Sequence, residues 1–275
     1  VWLAMSAAEP DHLIEGLRQY SNEQIKMGIT TVQFMNFDFP TSAPYYIKAN
    51  LPQRIRIIPF PATKKNVRSL NEWKNINTHP VPLIYVSGIK YIIDGTPFEE
   101  ASLQRQHYLG KPNWYGRTNM PVDTIKQILR EAYNSHTQLM MHIVGDSTMS
   151  LVLSLMKQTG NDAVWRSKRV RFEHNASDNA TPEDIQMIHD MGIIMAHTPK
   201  YGQGSHIQSF FDKGIMVSVS PDGTTNPFWD IMIMTTQQKD SNENTTVEKA
   251  VIAYTKTNAY AEFTEKEKGT LMPGM

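Results

Sequence analysis

The chain has 275 residues, 40% of them apolar, which suits one large domain with a real core. Its 27 lysines and arginines balance 27 aspartates and glutamates, so there is no footprint for nucleic acid or anionic membrane, and a small molecule is the expected partner by elimination. The absence of cysteine excludes disulfides and thiolate metal sites.

The spacing of Leu13, Leu17, Tyr20 and Ile25 predicts a helix over residues 11–27, closed by Gly28 as its C-terminal cap. Strands follow at 30–36 and 54–60, with residues 69–76 helping to form the helix after the second. A third strand, 87–94, is bounded by Gly88 and Gly95. The stretch 97–120 is long, polar and aromatic, and it follows a strand, so it is expected to form a lid or one wall of a site. A helix over 121–136 has Pro121 in its first turn. Next come a strand at 138–144, a helix at 147–157 and a strand at 169–175. Thr181-Pro182-Glu183-Asp184 opens another helix, with a threonine cap, a proline at the first position and acids facing the dipole. Residues 192–198 form a strand, 205–213 a helix, 215–220 the last clear strand and 247–258 a final helix.

Seven strands separated by helices imply a parallel sheet. An open doubly wound sheet and a closed barrel both fit. A barrel needs one strand more. Because the chain opens on a helix, the absent strand is expected to be the first. No linker divides the chain, so 1–275 is read as one domain. No apolar run approaches the roughly 18 residues of a membrane span. The opening Val1-Trp2-Leu3-Ala4-Met5-Ser6 is too short for a signal peptide and has no initiator methionine; both ends are read as cut, and the compartment stays open.

Four ionisable residues fall at or near predicted strand ends: Lys90 in GIKYIIDGT, His142 in LMMHIVGD, His174 in VRFEHN and Asp222 in VSVSPDGT. In a parallel α/β barrel, such positions share one mouth. The chemistry suits a metal: neutral imidazole and carboxylate are common ligands of zinc and similar ions. A buried lysine favours its free amine, which can take up carbon dioxide as a carbamate and bridge two cations. Two cations can polarise a carbonyl and generate hydroxide at neutral pH, with an aspartate as base. Each residue alone has a structural explanation. A lone strand-end histidine is usually structural, a lysine can snorkel to water, and Asp222 before Gly223 suits a turn. The order Lys, His, His, Asp over successive strands, the seventh excepted, is what singles them out. His197, also at a strand end, is read as pocket wall or structure. His12, His79, His107, His136, His189 and His206 are background.

With these residues in view, the chain resembles the amidohydrolase superfamily, and most of all its amidohydrolase-3 branch, which includes N-substituted formamide deformylase-like enzymes. The similarity runs from Gly28-Ile29-Thr30-Thr31-Val32 to the C-terminus. GIKYIIDGT resembles the branch's strand 4, whose lysine is the carbamylated metal bridge. MHIVGD and RFEHN resemble strands 5 and 6, each with a ligand histidine. VSVSPDGTTNP resembles strand 8, whose aspartate binds metal and moves the proton. Lys268-Gly269-Thr270-Leu271-Met272-Pro273-Gly274 resembles the signature just after the barrel, before a small β-domain. The family's His-x-His pair of strand 1 does not occur here, which accords with an absent first strand. The arginines usual after the strand 4 Asp-Gly and the strand 5 Gly-Asp are also missing, where the chain reads TPFEEAS and GDSTMS.

The resemblance implies a (β/α)8 TIM barrel lacking its first strand. It implies one or two divalent ions, zinc foremost, held by Lys90 as carbamate, His142, His174 and Asp222. The activity implied is hydrolysis of amide-like, non-peptide carbon–nitrogen bonds by metal-activated hydroxide, with Asp222 shuttling the proton. The partner is a small amide-like substrate, and a homodimer is consistent with the family. Two alternatives stand beside this reading. One is a catalytically degenerate barrel that binds a small molecule. The other is a metal-free enzyme of sugar-phosphate chemistry, for which Gly202-Gln203-Gly204 is a weak phosphate cradle.

Overall fold

The alternation of short apolar runs with amphipathic stretches becomes an α/β chain whose consecutive strands pair in parallel. A computed structural model describes residues 9–36, 43–60, 77–174, 180–201, 206–223 and 226–273. They pack as two compact units, Val1–Lys90 and Tyr91–Met275.

In the first unit, helix α1 (Pro10–Lys26) leads to strand β1 (Thr31–Asn36), and helix α2 (Ala43–Ala49) to strand β2 (Arg54–Pro59). Pro10 starts α1, where its missing N–H costs nothing. The turn out of α1 needs Gly28 at φ +81°, and there Ile29 N–H reaches back to the Gln24 carbonyl at 3.0 Å. Strand β3 (Ile84–Val86) joins β1 and β2 in a parallel sheet of order β1-β2-β3, with Val32 opposite Ile55 and Ile55 opposite Ile84. Ile55, Ile57, Ile84 and Val86 pack with Ile14, Tyr46, Ala49 and Leu51 into one core cluster. Two buried polar side chains here bond in a chain: Ser21 Oγ donates to Gln53 Oε1 at 2.8 Å, and Gln53 Nε2 donates to the Ile29 carbonyl at 2.5 Å. The helix expected over 69–76 lies outside the described residues.

The chain passes from one unit to the next within strand β4 (Ile89–Ile92). The strand expected over 87–94 is β4; β3, just before it, was not foreseen, and Gly88 stands between the two with a left-handed backbone (φ +75°).

The second unit alternates strand and helix. Helix α3 (Val122–Asn134) precedes strand β5 (Leu139–His142). Helices α4 (Asp146–Thr159) and α5 (Asp162–Lys168) precede strand β6 (Arg171–Glu173). Helix α6 (Pro182–Met191), strand β7 (Ile194–His197), helix α7 (Ile207–Asp212) and strand β8 (Val217–Val219) follow, and then helices α8 (Pro227–Thr236), α9 (Val247–Tyr254) and α10 (Lys256–Ala261). The sheet order is β4-β5-β6-β7-β8. Pairing is parallel from β5 to β8, with Met141 opposite Phe172, Phe172 opposite Met195 and Ala196 opposite Ser218. Leu139, Met140, Met141, Ile194, Met195 and Val217 are all buried, and β5 and β7 read as apolar runs up to their closing histidines, as suits a parallel sheet covered on both faces.

Local signals explain most helix ends. Thr181 and Asp184 form the expected capping box of α6, and Gly192 ends the helix at φ +60°. Helices α2, α5 and α8 were not foreseen, although Asn161 and Asn226 cap the last two and Pro227 opens α8. Pro121 stands at the cap of α3 and not in its first turn. The final helix, expected over 247–258, is two helices, because Thr255 departs from helical geometry at φ −114°, ψ −82°.

Candidate active site

Strand β5 ends on His142, and beside it lies a cavity of about 530 Å³, lined among others by Asp94, Thr96, Glu99, Arg117, Asn119 and His142. The stretch 97–120 thus forms a wall of the cavity, one of the two roles expected for it. Arg105 anchors that stretch. Its backbone N–H donates to Asp146 Oδ1 at 2.7 Å, and its guanidinium donates to Asp184 Oδ2 at 2.7 Å and Ser150 Oγ at 2.5 Å. Two glycines allow close approach. A Cβ at Gly145 would lie 2.0 Å from the Leu103 carbonyl oxygen, and one at Gly116 would lie 1.9 Å from that of Ser102.

Asp94 was read only as a strand boundary, yet it lies at the base of this wall. It is buried, and its carboxylate accepts the N–H groups of Val144 at 3.0 Å and Gly145 at 2.7 Å. Burial pushes its pKa up to about 6, against the pull of those two amides. An aspartate followed by glycine at a strand end was the available signal.

Three of the four singled-out residues come together. The His142 and His174 rings lie 4.5 Å apart between centroids, and His174 Nδ1 is 4.0 Å from Asp222 Oδ2. His174, directly after β6, and Asp222, after β8, both hold left-handed backbones, at φ +78° and +50°. For residues other than glycine this costs on the order of 1–3 kcal/mol each, a strain typical of functional sites.

The surrounding bonds select the tautomers. Thr198 Oγ1 gives its proton to the Ser220 carbonyl at 2.9 Å, so at 3.2 Å it can only accept from His174 Nδ1. Nδ1 then carries the hydrogen and Nε2 the lone pair. His142 Nε2 lies 3.4 Å from the Gly95 carbonyl, which can only accept, and this puts the His142 lone pair on Nδ1.

Lys90 belongs to the first unit. It is buried, with Nζ 6.0 Å from the centre of the Phe60 ring. His197 is wholly buried, and burial depresses its pKa to about 3, so it is a neutral imidazole of the interior. Of the background histidines, His79 stacks on Tyr85 and His189 pairs with Asp190 at 3.1 Å. The Gly202-Gln203-Gly204 segment lies outside the described residues. Among the described residues, no three His, Asp or Glu side chains gather closely enough to hold a metal ion. The donor chemistry still suits a divalent cation: two imidazoles with defined lone pairs, one of them beside a carboxylate.

Parallel strands alternating with helices, with His142 at a strand end beside a cavity, match the α/β arrangement in which active sites gather at the C-terminal ends of strands. The amidohydrolase family matches residues 4–275, and the chain belongs to it. It is similar to Protein LONG AFTER FAR-RED 3 of Arabidopsis thaliana, with 22% identity over 212 residues, covering 70% of this chain and 34% of that protein. An uncharacterized metal-dependent hydrolase of Pyrococcus furiosus has a similar structure (TM-score 0.79, 16% identity, 98% of this chain and 59% of that one). So does guanine deaminase of C. acetobutylicum (TM-score 0.63, 13% identity, 97% and 65%). The chain therefore spans about a third of the curated relative's length and 59% of the Pyrococcus chain.

Proposed function

We propose that the whole protein is a metal-dependent hydrolase of carbon–nitrogen bonds in amide-like, non-peptide substrates, on a (β/α)8 barrel. Membership of the amidohydrolase family and likeness in fold to a metal-dependent hydrolase and a guanine deaminase support the class. The observation that carries the reading is the pair His142–His174, with rings 4.5 Å apart on neighbouring strand ends and Asp222 Oδ2 4.0 Å from His174 Nδ1.

His142, His174 and Asp222 would hold one or two divalent cations, and Lys90, as a carbamate, would be a further ligand. Zinc is the first candidate. A bound divalent ion polarises the substrate carbonyl and lowers the pKa of water. Asp222 accepts the proton that water loses as its oxygen bonds to the carbonyl carbon. When the C–N bond breaks, Asp222 returns that proton to the departing nitrogen. Thr198 holds the His174 ring in the ligand tautomer. The cavity beside His142 receives the substrate, which the wall 97–120 shields from water.

The test is elemental analysis of the purified whole protein, with amide hydrolysis measured alongside Lys90→Ala, His174→Ala and Asp222→Asn. Near-stoichiometric divalent metal that falls in Lys90→Ala, with hydrolysis lost in all three variants, is expected. Full hydrolysis in each variant, or no metal even after reconstitution with bicarbonate, would sink the reading.

A further inference from the structure

Two large aromatic rings stand in solvent near the histidine pair, and they touch each other. Phe98 is 83% exposed and Tyr201 58%, and the rings meet edge to face with centroids 6.0 Å apart. A single exposed ring needs no explanation. These two come from different strand ends, Phe98 from the wall that follows β4 and Tyr201 from the turn that follows β7.

The bases of both rings are fixed. Phe98 sits in the short turn Pro97–Glu99, where Glu99 Oε2 accepts from the Thr96 N–H at 3.4 Å and the Thr96 hydroxyl at 3.1 Å, and Ala101 N–H donates to the Thr96 carbonyl at 3.0 Å. Thr96 and Glu99, on either side of Phe98, line the cavity of His142. Tyr201 N–H donates to the Thr198 carbonyl at 3.1 Å, and Thr198 Oγ1 lies 3.2 Å from His174 Nδ1. Lys200 Nζ, 4.6 Å from the centre of the Tyr201 ring, donates to the Asp222 carbonyl at 3.1 Å. These contacts form a circuit. It runs from His142 to His174, through Thr198 to Tyr201, across to Phe98, and through Thr96 and Glu99 back to the cavity of His142. Turns and hydrogen bonds fix both ends of the aromatic contact, while the contact itself lies in solvent, where an edge-to-face pair shifts a population by only about 2- to 10-fold.

We propose that Phe98 and Tyr201 are a gate, two residues that determine what reaches the His142–His174 pair. Their rings part to admit a molecule and meet again behind it. Rigid bases and a weak contact between the tips let the circuit open at this one join without disturbing Thr198 or Lys200. The gate adds to the hydrolase reading and rests on it only for the chemistry that follows entry.

Histidine acylation by diethyl pyrocarbonate tests this on the whole protein, read residue by residue by peptide mass spectrometry, before and after chelation of metal. After chelation, His142 and His174 should react about 3- to 10-fold faster in Phe98→Ala and in Tyr201→Ala than in the parent, the factor by which losing such a contact raises the open fraction. The double variant should react no faster than either single one, because both remove the same contact. Tyr201→Phe keeps the ring and should match the parent. His189, on the surface of α6, is the internal control and should react equally in every variant. Parent-like rates at both histidines in the alanine variants, effects that multiply in the double variant, or a parallel rise at His189 overturns the proposal. The hydrolase reading is judged separately in the parent. Acylation that speeds up on chelation supports a bound cation, and acylation that chelation leaves unchanged counts against it.

Discussion

Thr198 Oγ1 lies 3.2 Å from His174 Nδ1 and has already committed its proton to the Ser220 carbonyl. If His174 holds the proposed cation, this one hydroxyl favours the tautomer that leaves Nε2 for it. Thr198→Val keeps the shape and removes the acceptor, so a metal titration of the variant should show affinity lower by about 10- to 100-fold. Thr198→Ser should stay close to the parent. Unchanged affinity in Thr198→Val would show that the hydroxyl does not orient the ring.

The contact between Gly145 and Leu103 joins the cavity wall to the start of α4. A Cβ there would sit 2.0 Å from the Leu103 carbonyl oxygen, and the same oxygen accepts Thr148 N–H at 3.4 Å. The backbone on both sides is tied down, so Gly145→Ala should lose about 1–3 kcal/mol in chemical denaturation. Gly214→Ala is a poor control, because Gly214 holds φ +71°. Gly16→Ala is a suitable one, since nothing lies within 4 Å of the added carbon.

Arg105 offsets two buried aspartates, Asp146 and Asp184, while it holds the wall 97–120. Arg105→Met leaves both carboxylates without their cation. Allowing for the partial exposure of the arginine, the expected loss is about 2 kcal/mol. Limited proteolysis should also cut the variant earlier within 97–120. A variant with the parent's stability and cleavage pattern would exclude the clamp.

His197 gives stability a pH dependence of known sign. Its ordinary value is 6.5, and burial lowers it to about 3 in the folded chain. Between these values the unfolded chain binds the extra proton, so stability rises with pH through this window and the gain is complete above 6.5. Denaturation midpoints should therefore fall as pH drops below 6.5, by up to about 1.4 kcal/mol per pH unit from this residue. His197→Gln should flatten that slope, and an equal slope in the variant would assign it to other groups.

The sequence by itself determined the features that depend on near neighbours. Thr181, Pro182 and Asp184 start a helix wherever they stand, because the cap satisfies backbone donors two and three residues away. The apolar runs at β5 and β7 imply a sheet covered on both faces, and a histidine closing β5 lies at a parallel strand's functional end. Strand β3 and the bend at Thr255 escaped this reading, since three residues are too few to show a strand's period and a single non-helical residue leaves the helical pattern intact. Only the tertiary structure brought Arg117 to the cavity of His142, 25 positions along the chain, and set the Asp94 carboxylate on the amides of Val144 and Gly145. It alone committed the Thr198 proton to Ser220 and so chose the tautomer of His174. Hydrogen bonds and burial act across space, and residues far apart in the chain supply both partners.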